Sequence, residues 1–373
     1  MNSINKTTLY SPAKINLGLQ VVGKLISGKH HLVSPIIPIG LQDIISITQN
    51  NSKKLSVNYI EGKILKNDIL IENLNLGNDC LLTKTYHWFM DQITHFNPNF
   101  LSEEDKEILT NNISSLQSFG LAITLEKNIP SPAGLGGGSS NAASLLNYLL
   151  NQVSNNLCKE KFAKIKSKFI KMSSKIGADV PFFLSQQPAL INGVYQIDVT
   201  LAPFYFEGFI AVPPFTLSTT KMFTALNKAI MSKEKIEALA QKQKEKNLML
   251  LKQLSLKTLE KNDLIDIRHA NRVILKNDFL IALQNIDENK FSILSSGIDK
   301  LANILGKRSK NIVFCGLSGS GSAIYCGSIK VSSTSENTLQ PISLYEKDVQ
   351  SNICVDFDTN ILNGWQIIQI RLR

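Results

Sequence analysis

Residues 130–153, PSPAGLGGGSSNAASLLNYLLNQV, constrain the fold of this chain more than any other stretch. Gly134, Gly136, Gly137 and Gly138 form a loop almost without side chains, and it runs directly into a strong helix former. A helix N-terminus presents unpaired backbone N–H groups and the positive end of the helix dipole, so such a loop suits phosphate oxygens. Glycines also let the backbone approach a polyphosphate closely. The plainer reading is a glycine-rich turn that only caps a helix. Ser139, Ser140 and the long helix behind them favour phosphate binding.

The loop is not of the Walker type, because no Lys-Ser/Thr pair follows its last glycine. It does not read G-x-G-x-x-G either, since Ser139 stands where the third glycine belongs. No H-R-D or D-F-G is present, which excludes a protein-kinase signature. Two other stretches belong with it: SPAKINLGL at 11–19 and GLSGSGSA at 316–323. Together the three resemble, in order, the three motifs of the GHMP kinases, a family of ATP-dependent small-molecule kinases. GKHHL (28–32), IGADVPFF (176–183) and STTKMF (218–223) resemble further segments of that family.

The resemblance implies an α+β fold in two domains, 1–187 (N-terminal, ATP-binding) and 188–373 (C-terminal), with the active site in the interdomain cleft. It implies phosphoryl transfer from ATP to an alcohol, with Asp179 as the base that accepts the hydroxyl proton. Read alone, an Asp in Gly-Ala-Asp-Val-Pro is an ordinary helix cap or turn residue. Lys14 is its expected partner; it sits in an apolar run (Ala13, Ile15, Leu17) where a lone cation is costly unless paired. The alternative for Lys14 is a surface position on a strand edge. Pro132, Ala133, Gly134, Leu135, Gly136, Gly137, Gly138, Ser139, Ser140 and Asn141 are the expected ATP cradle. Mg²⁺ should accompany ATP, with Ser140 as a ligand, although a serine at a helix start often simply caps it.

The acceptor implied by the resemblance is a cytidine diphosphate-linked polyol. His30 would meet its cytidine end and Asn16 its polyol hydroxyls, with Lys29 where the family carries an aromatic ring. Phe215 or Phe223 is expected to supply the missing stacking, worth about 1–3 kcal/mol. Cys80, in NDCLL (78–82), stands in place of an asparagine near the adenine pocket, so one adenine hydrogen bond is lost or moved. The 316–323 motif should shape the pocket through backbone groups. A related kinase for a homoserine- or mevalonate-like alcohol is the nearest alternative.

A net charge of +10 permits a basic nucleic-acid-binding module. Much of that charge lies in 231–262, which reads as a solvated helix face with Ile236, Leu239, Leu248 and Leu251 at roughly helical spacing. An enzyme of anionic small molecules, without nucleic-acid or membrane partners and monomeric or homodimeric, is therefore expected. Cys80, Cys158, Cys315, Cys326 and Cys354 show no C-x-x-C spacing, and the first residues lack a signal peptide's apolar core. A reduced, cytoplasmic protein without structural disulfides follows. Strands are expected at 8–22, 31–48, 119–127 and near 188–213, and helices at 80–93 and 140–152. Segments 94–117 and 231–262 read as additions to the family pattern. An N-D-hydrophobic element preceding the third motif fits 262–264 or, by spacing, 277–279.

Overall fold

The computed structural model describes residues 6–62, 80–194, 197–201, 204–226, 228, 230–256, 265–269, 272–308, 312–331, 362 and 364–370. Cys354, residues 257–264 and most of the chain after Val331 lie outside them, so the 262–264 alternative does too. The first elements are β1 (Lys6–Asn16), β2 (Gln20–Lys24), β3 (His30–Asn50), β4 (Ser56–Glu61), α1 (Leu81–Thr94), α2 (Glu103–Ser118) and β5 (Gly120–Lys127). Helices α3 (Gly137–Val153), α4 (Lys159–Met172) and α5 (Val180–Ser185) follow, then β6 (Ala189–Gly193), β7 (Ile197–Thr200) and β8 (Phe204–Val212). The last elements are α6 (Thr219–Ala225), α7 (Lys233–Leu256), β9 (Ile265–His269), β10 (Arg272–Leu275), α8 (Asp278–Ile286), α9 (Glu288–Arg308), β11 (Val313–Leu317), β12 (Ile324–Val331) and β13 (Gln366–Ile370).

By packing, the chain forms two interleaved units: Met1–Pro12, Gln42–Ile129 and Gly137–Gln186 in one, and Ala13–Leu41, Pro130–Gly136 and Gln187–Arg373 in the other. The consecutive division 1–187 and 188–373 is a different kind of boundary, and we propose it as the division into family domains.

In the first unit the second half of β3 pairs antiparallel with β5, and β5 pairs parallel with β4. Alternate residues of β3 (Ile45, Ile47) and β5 (Leu121, Ile123, Leu125) are buried, the period-2 pattern of a strand with one face in a core. Helix α3 packs against α1, α2 and α5. Its Ala142, Ala143, Leu145, Leu146, Leu149, Leu150 and Val153 are all buried, so this helix is covered on most sides rather than amphipathic. Helix α2 begins with a capping box in which the Ser102 side chain accepts from Asp105 N–H and the Asp105 carboxylate accepts from Ser102 N–H.

In the second unit the first half of β3 pairs with β2 and β6, and β6 with β7. A separate sheet runs β13-β8-β12-β11-β10-β9, antiparallel except for β10–β11. Phe209, Ala211, Leu217, Phe279, Leu294, Ile298, Leu301 and Ile324 form the core between this sheet and its helices. Helix α7 buries Ile236, Ala240, Asn247, Leu250 and Leu251, while most of its lysines stay in solvent. The stripe is rotated from the expected one, for Leu239 is 40% exposed. Ile236 packs closely on Gly23, where a Cβ would lie 3.2 Å from it.

The cysteine expectation is corrected. Cys315 and Cys326 are directly opposed in the β11–β12 register and joined as a disulfide. The turn between the strands brings together residues separated by 11 positions, which a search for metal or redox spacings does not detect.

Candidate active site

Within the first unit the loop becomes helix at Gly137, and Gly138, Ser139, Ser140 and Asn141 complete the first turn of α3. Ser140 is fully buried, and among the described residues its hydroxyl oxygen has no hydrogen-bond partner. That hydroxyl is therefore not spent as a helix cap. Gly177 packs on the same turn, since a Cβ on it would lie 3.3 Å from Ser139 Oγ. Asp179, two residues on, is thus carried to the neighbourhood of the α3 N-terminus. It occupies the N-cap position of α5, but its side chain makes no capping bond. The ordinary cap reading accounts for its place in the chain and not for its carboxylate.

The start of α3 is held from below by residues that no motif identified. The buried Asp43 carboxylate accepts from Lys127 Nζ at 2.5 Å and from Asn141 Nδ2 at 2.8 Å. Both charged residues fall on the inward phase of their strands, Asp43 between Leu41 and Ile45 and Lys127 two beyond Leu125. A charge at an inward position was the available signal. Cys80, the residue expected near adenine, is the N-cap of α1, its Sγ accepting from Thr83 N–H at 3.4 Å. Burial alone would raise the Cys80 thiol, but hydrogen bonds from Thr83 and Tyr59 hold it below its ordinary value.

Within the second unit Lys14 is only 4% exposed, which excludes the strand-edge reading. Its Nζ donates to Asn16 Oδ1 at 2.5 Å, Asn16 Nδ2 donates to Ser34 Oγ at 2.8 Å, and Ser34 Oγ donates to Gly18 O at 2.6 Å. Asn16 therefore orients the ammonium. The first half of the glycine loop docks here: Lys14 N–H donates to Leu135 O (2.9 Å), and Ala323 N–H to Ala133 O (3.1 Å). Ser318 Oγ donates to Gly134 O at 3.0 Å. Pro132 is exposed and Leu135 is 1% exposed, so these members of the expected cradle differ sharply in access.

The third motif closes against the same strand. A Cβ on Gly319 would stand 3.0 Å from Lys14 Nζ. Asn277 holds the motif's shape: Nδ2 donates to Leu317 O and Gly319 O, both at 2.9 Å, while Oδ1 accepts from Phe279 N–H and caps α8. The 277–279 alternative is the one within the described residues. Thr219 Oγ1 shares a 2.8 Å hydrogen bond with Ser320 Oγ, tying α6 to the motif's tip.

Of the expected acceptor residues, Lys29 is exposed and His30 is stacked on Phe223, with ring centroids 4.7 Å apart. Phe223 in turn meets the Phe279 ring edge-on at 4.8 Å. Burial first, and then the like charge of Lys24, lowers the His30 pKa, so its neutral form prevails at pH 7. Phe215 carries Lys290 Nζ 5.6 Å from its ring centroid, so Phe223 is the ring that joins His30.

Residues 106–187 match the family described as the GHMP kinases N terminal domain. That match takes in 106–117, so the second half of the segment 94–117 belongs to the matched domain and is not an addition. The chain is 31% identical over 328 residues to the 4-diphosphocytidyl-2-C-methyl-D-erythritol kinase of Thermosipho melanesiensis, covering 87% of this chain and 92% of the relative. It is 28% identical to the kinase of the same name from Leptospira biflexa serovar Patoc, covering 84% and 87%. A crystal structure of 4-(cytidine 5'-diphospho)-2C-methyl-D-erythritol kinase shares the fold, with a TM-score of 0.52 at 21% identity over 86% of this chain and 90% of that one. With three motifs folded into glycine loop, Lys14 strand and third-motif turn, and near full-length likeness to such relatives, the chain belongs to the GHMP kinase family of ATP-dependent small-molecule kinases.

Proposed function

We propose that the chain transfers the γ-phosphoryl group of ATP to the 2-hydroxyl of 4-diphosphocytidyl-2-C-methyl-D-erythritol, a step of non-mevalonate isoprenoid precursor synthesis. The observation that carries this reading is the 92% coverage of a relative of that name at 31% identity. The hydroxyl oxygen attacks the γ-phosphorus, the bond to the β,γ-bridging oxygen breaks, and ADP leaves. Asp179 accepts the hydroxyl proton; its carboxylate is not consumed as a helix cap. Lys14, oriented by Asn16, supplies positive charge to the transferring group. The N–H groups of Gly137, Gly138 and Ser139 receive phosphate oxygens at the α3 N-terminus.

The buried Ser140 hydroxyl, without a hydrogen-bond partner among the described residues, fits a hard cation such as Mg²⁺, which takes oxygen ligands. When bound, Mg²⁺ would neutralise the phosphates. A cytoplasmic location goes with charged substrates of this kind, and no described helix is long and apolar enough to cross a membrane.

Neutral His30 has one donor and one acceptor, matching the cytosine edge, and Phe223 supports it from behind. Replacing Phe223 by Ala should raise the KM for the cytidyl acceptor by about 2- to 13-fold, the equivalent of ~0.5–1.5 kcal/mol for the lost His30–Phe223 ring pair. The KM for ATP should not change. Steady-state kinetics with each substrate varied in turn checks this, and an unchanged acceptor KM would remove the aromatic shelf from recognition.

A further inference from the structure

Asp43 lies outside every motif, yet it is 0% exposed and fully engaged. Its Oδ1 accepts from the backbone N–H groups of Asn128 and Ile129, both at 2.8 Å. Its Oδ2 accepts from Lys127 Nζ and Asn141 Nδ2. A carboxylate has about four such positions, so this one is saturated. The donors fall on the two ends of one loop: 127–129 lead into it, and Asn141 lies in the first helical turn beyond it. The same grip holds the Lys127 ammonium beside the helix start, 3.1 Å from where a Cβ on Gly137 would sit.

We propose that Asp43 is a positioning residue for phosphoryl transfer: one buried carboxylate clamps both ends of the glycine loop and so fixes where the Gly137–Ser139 N–H groups meet the nucleotide. The proposal rests on the phosphoryl-transfer reading above. Asp43 is shut off from solvent, so its influence on ATP runs through the loop. The grip matters because a misplacement of about 1 Å at a reacting centre costs on the order of 100-fold in rate. An ion pair buried this deeply adds little net stability over apolar packing, which leaves geometry as its main contribution.

The test compares wild type, Asn141→Ala, Asp43→Ala and the double variant by thermal melting, calorimetric ATP binding and the separate KM values for ATP and acceptor. Asn141→Ala keeps the Lys127–Asp43 pair and both backbone bonds, so it should remain folded. It should lose on the order of 100-fold in kcat/KM for ATP, with the acceptor KM unchanged. The double variant should match Asp43→Ala alone, because both remove the same clamp. A merely structural role lowers kcat with the folded fraction and leaves the ATP KM alone; that result, or wild-type ATP kinetics in a folded Asn141→Ala, overturns the proposal. Additive losses in the double variant overturn it as well. If Asp43→Ala fails to fold, the isosteric Asp43→Asn takes its place in the cycle with Asn141→Ala. Failure of the wild type itself to bind ATP would instead overturn the phosphoryl-transfer reading, and no variant is needed to see it.

Discussion

Asp179→Asn should reduce turnover by about 10²- to 10⁴-fold while ATP binding stays at the wild-type level. The range is that of a positioned general base, and the amide keeps the size of the carboxylate while losing its basicity. The usual objection, that an aspartate at a helix start stabilises the helix, has little force here. The Asp179 side chain makes no capping bond to α5, and the backbone bond from Phe183 N–H to Asp179 O survives the change. Single-turnover phosphoryl transfer, measured beside calorimetric ATP binding, separates the two functions. Near-normal turnover in the variant would remove Asp179 from its role.

Gly134→Ala should be more damaging than Gly137→Ala or Gly138→Ala in the same loop. Gly134 has φ +76°, and a Cβ there would stand 2.1 Å from the carbonyl oxygen of Ser318. Left-handed backbone strain and overpacking each contribute about 1–3 kcal/mol, so a loss of about 2–6 kcal/mol is expected. The displaced atoms are backbone of the third motif, so the bond from Ser318 Oγ to Gly134 O and the neighbouring Ala323–Ala133 bond should go with them. Turnover should fall accordingly. Gly28→Ala is the control: its φ is +82° but nothing lies within 4 Å of the added methyl. It carries the backbone cost alone and should melt well above Gly134→Ala. Equal melting of the two would show that the contact with Ser318 is not what requires glycine at 134.

The parts of this molecule that were legible in the sequence are those where chemistry and chain order coincide. A glycine run followed by a helix former announces its own N-terminus, and α3 begins at Gly137, inside that run. Lys14 was legible as a cation flanked by apolar residues, and its 4% exposure is the consequence. Long-range pairings were not legible. Asp43 and Lys127 are 84 residues apart and meet only because β3 and β5 share a register that places Ile44 opposite Glu126. Asn277 acts on Leu317 and Gly319, 40 and 42 residues away. Helix α7 shows a subtler limit: helical spacing identifies the helix, but which face it buries depends on its packing against β2 and β6, which local spacing does not carry. The disulfide escaped for the same reason, since strand register and not local spacing opposes Cys315 and Cys326.

ADP release reads the identity of the acceptor directly. The purified chain should be given ATP–Mg²⁺ with 4-diphosphocytidyl-2-C-methyl-D-erythritol, with mevalonate, with homoserine, or with no acceptor. Turnover confined to the cytidyl substrate is the predicted result, and would show that Lys29 is tolerated where the family carries a ring. Turnover with mevalonate or homoserine, or none with the cytidyl substrate by a chain that binds ATP, would rule that acceptor out.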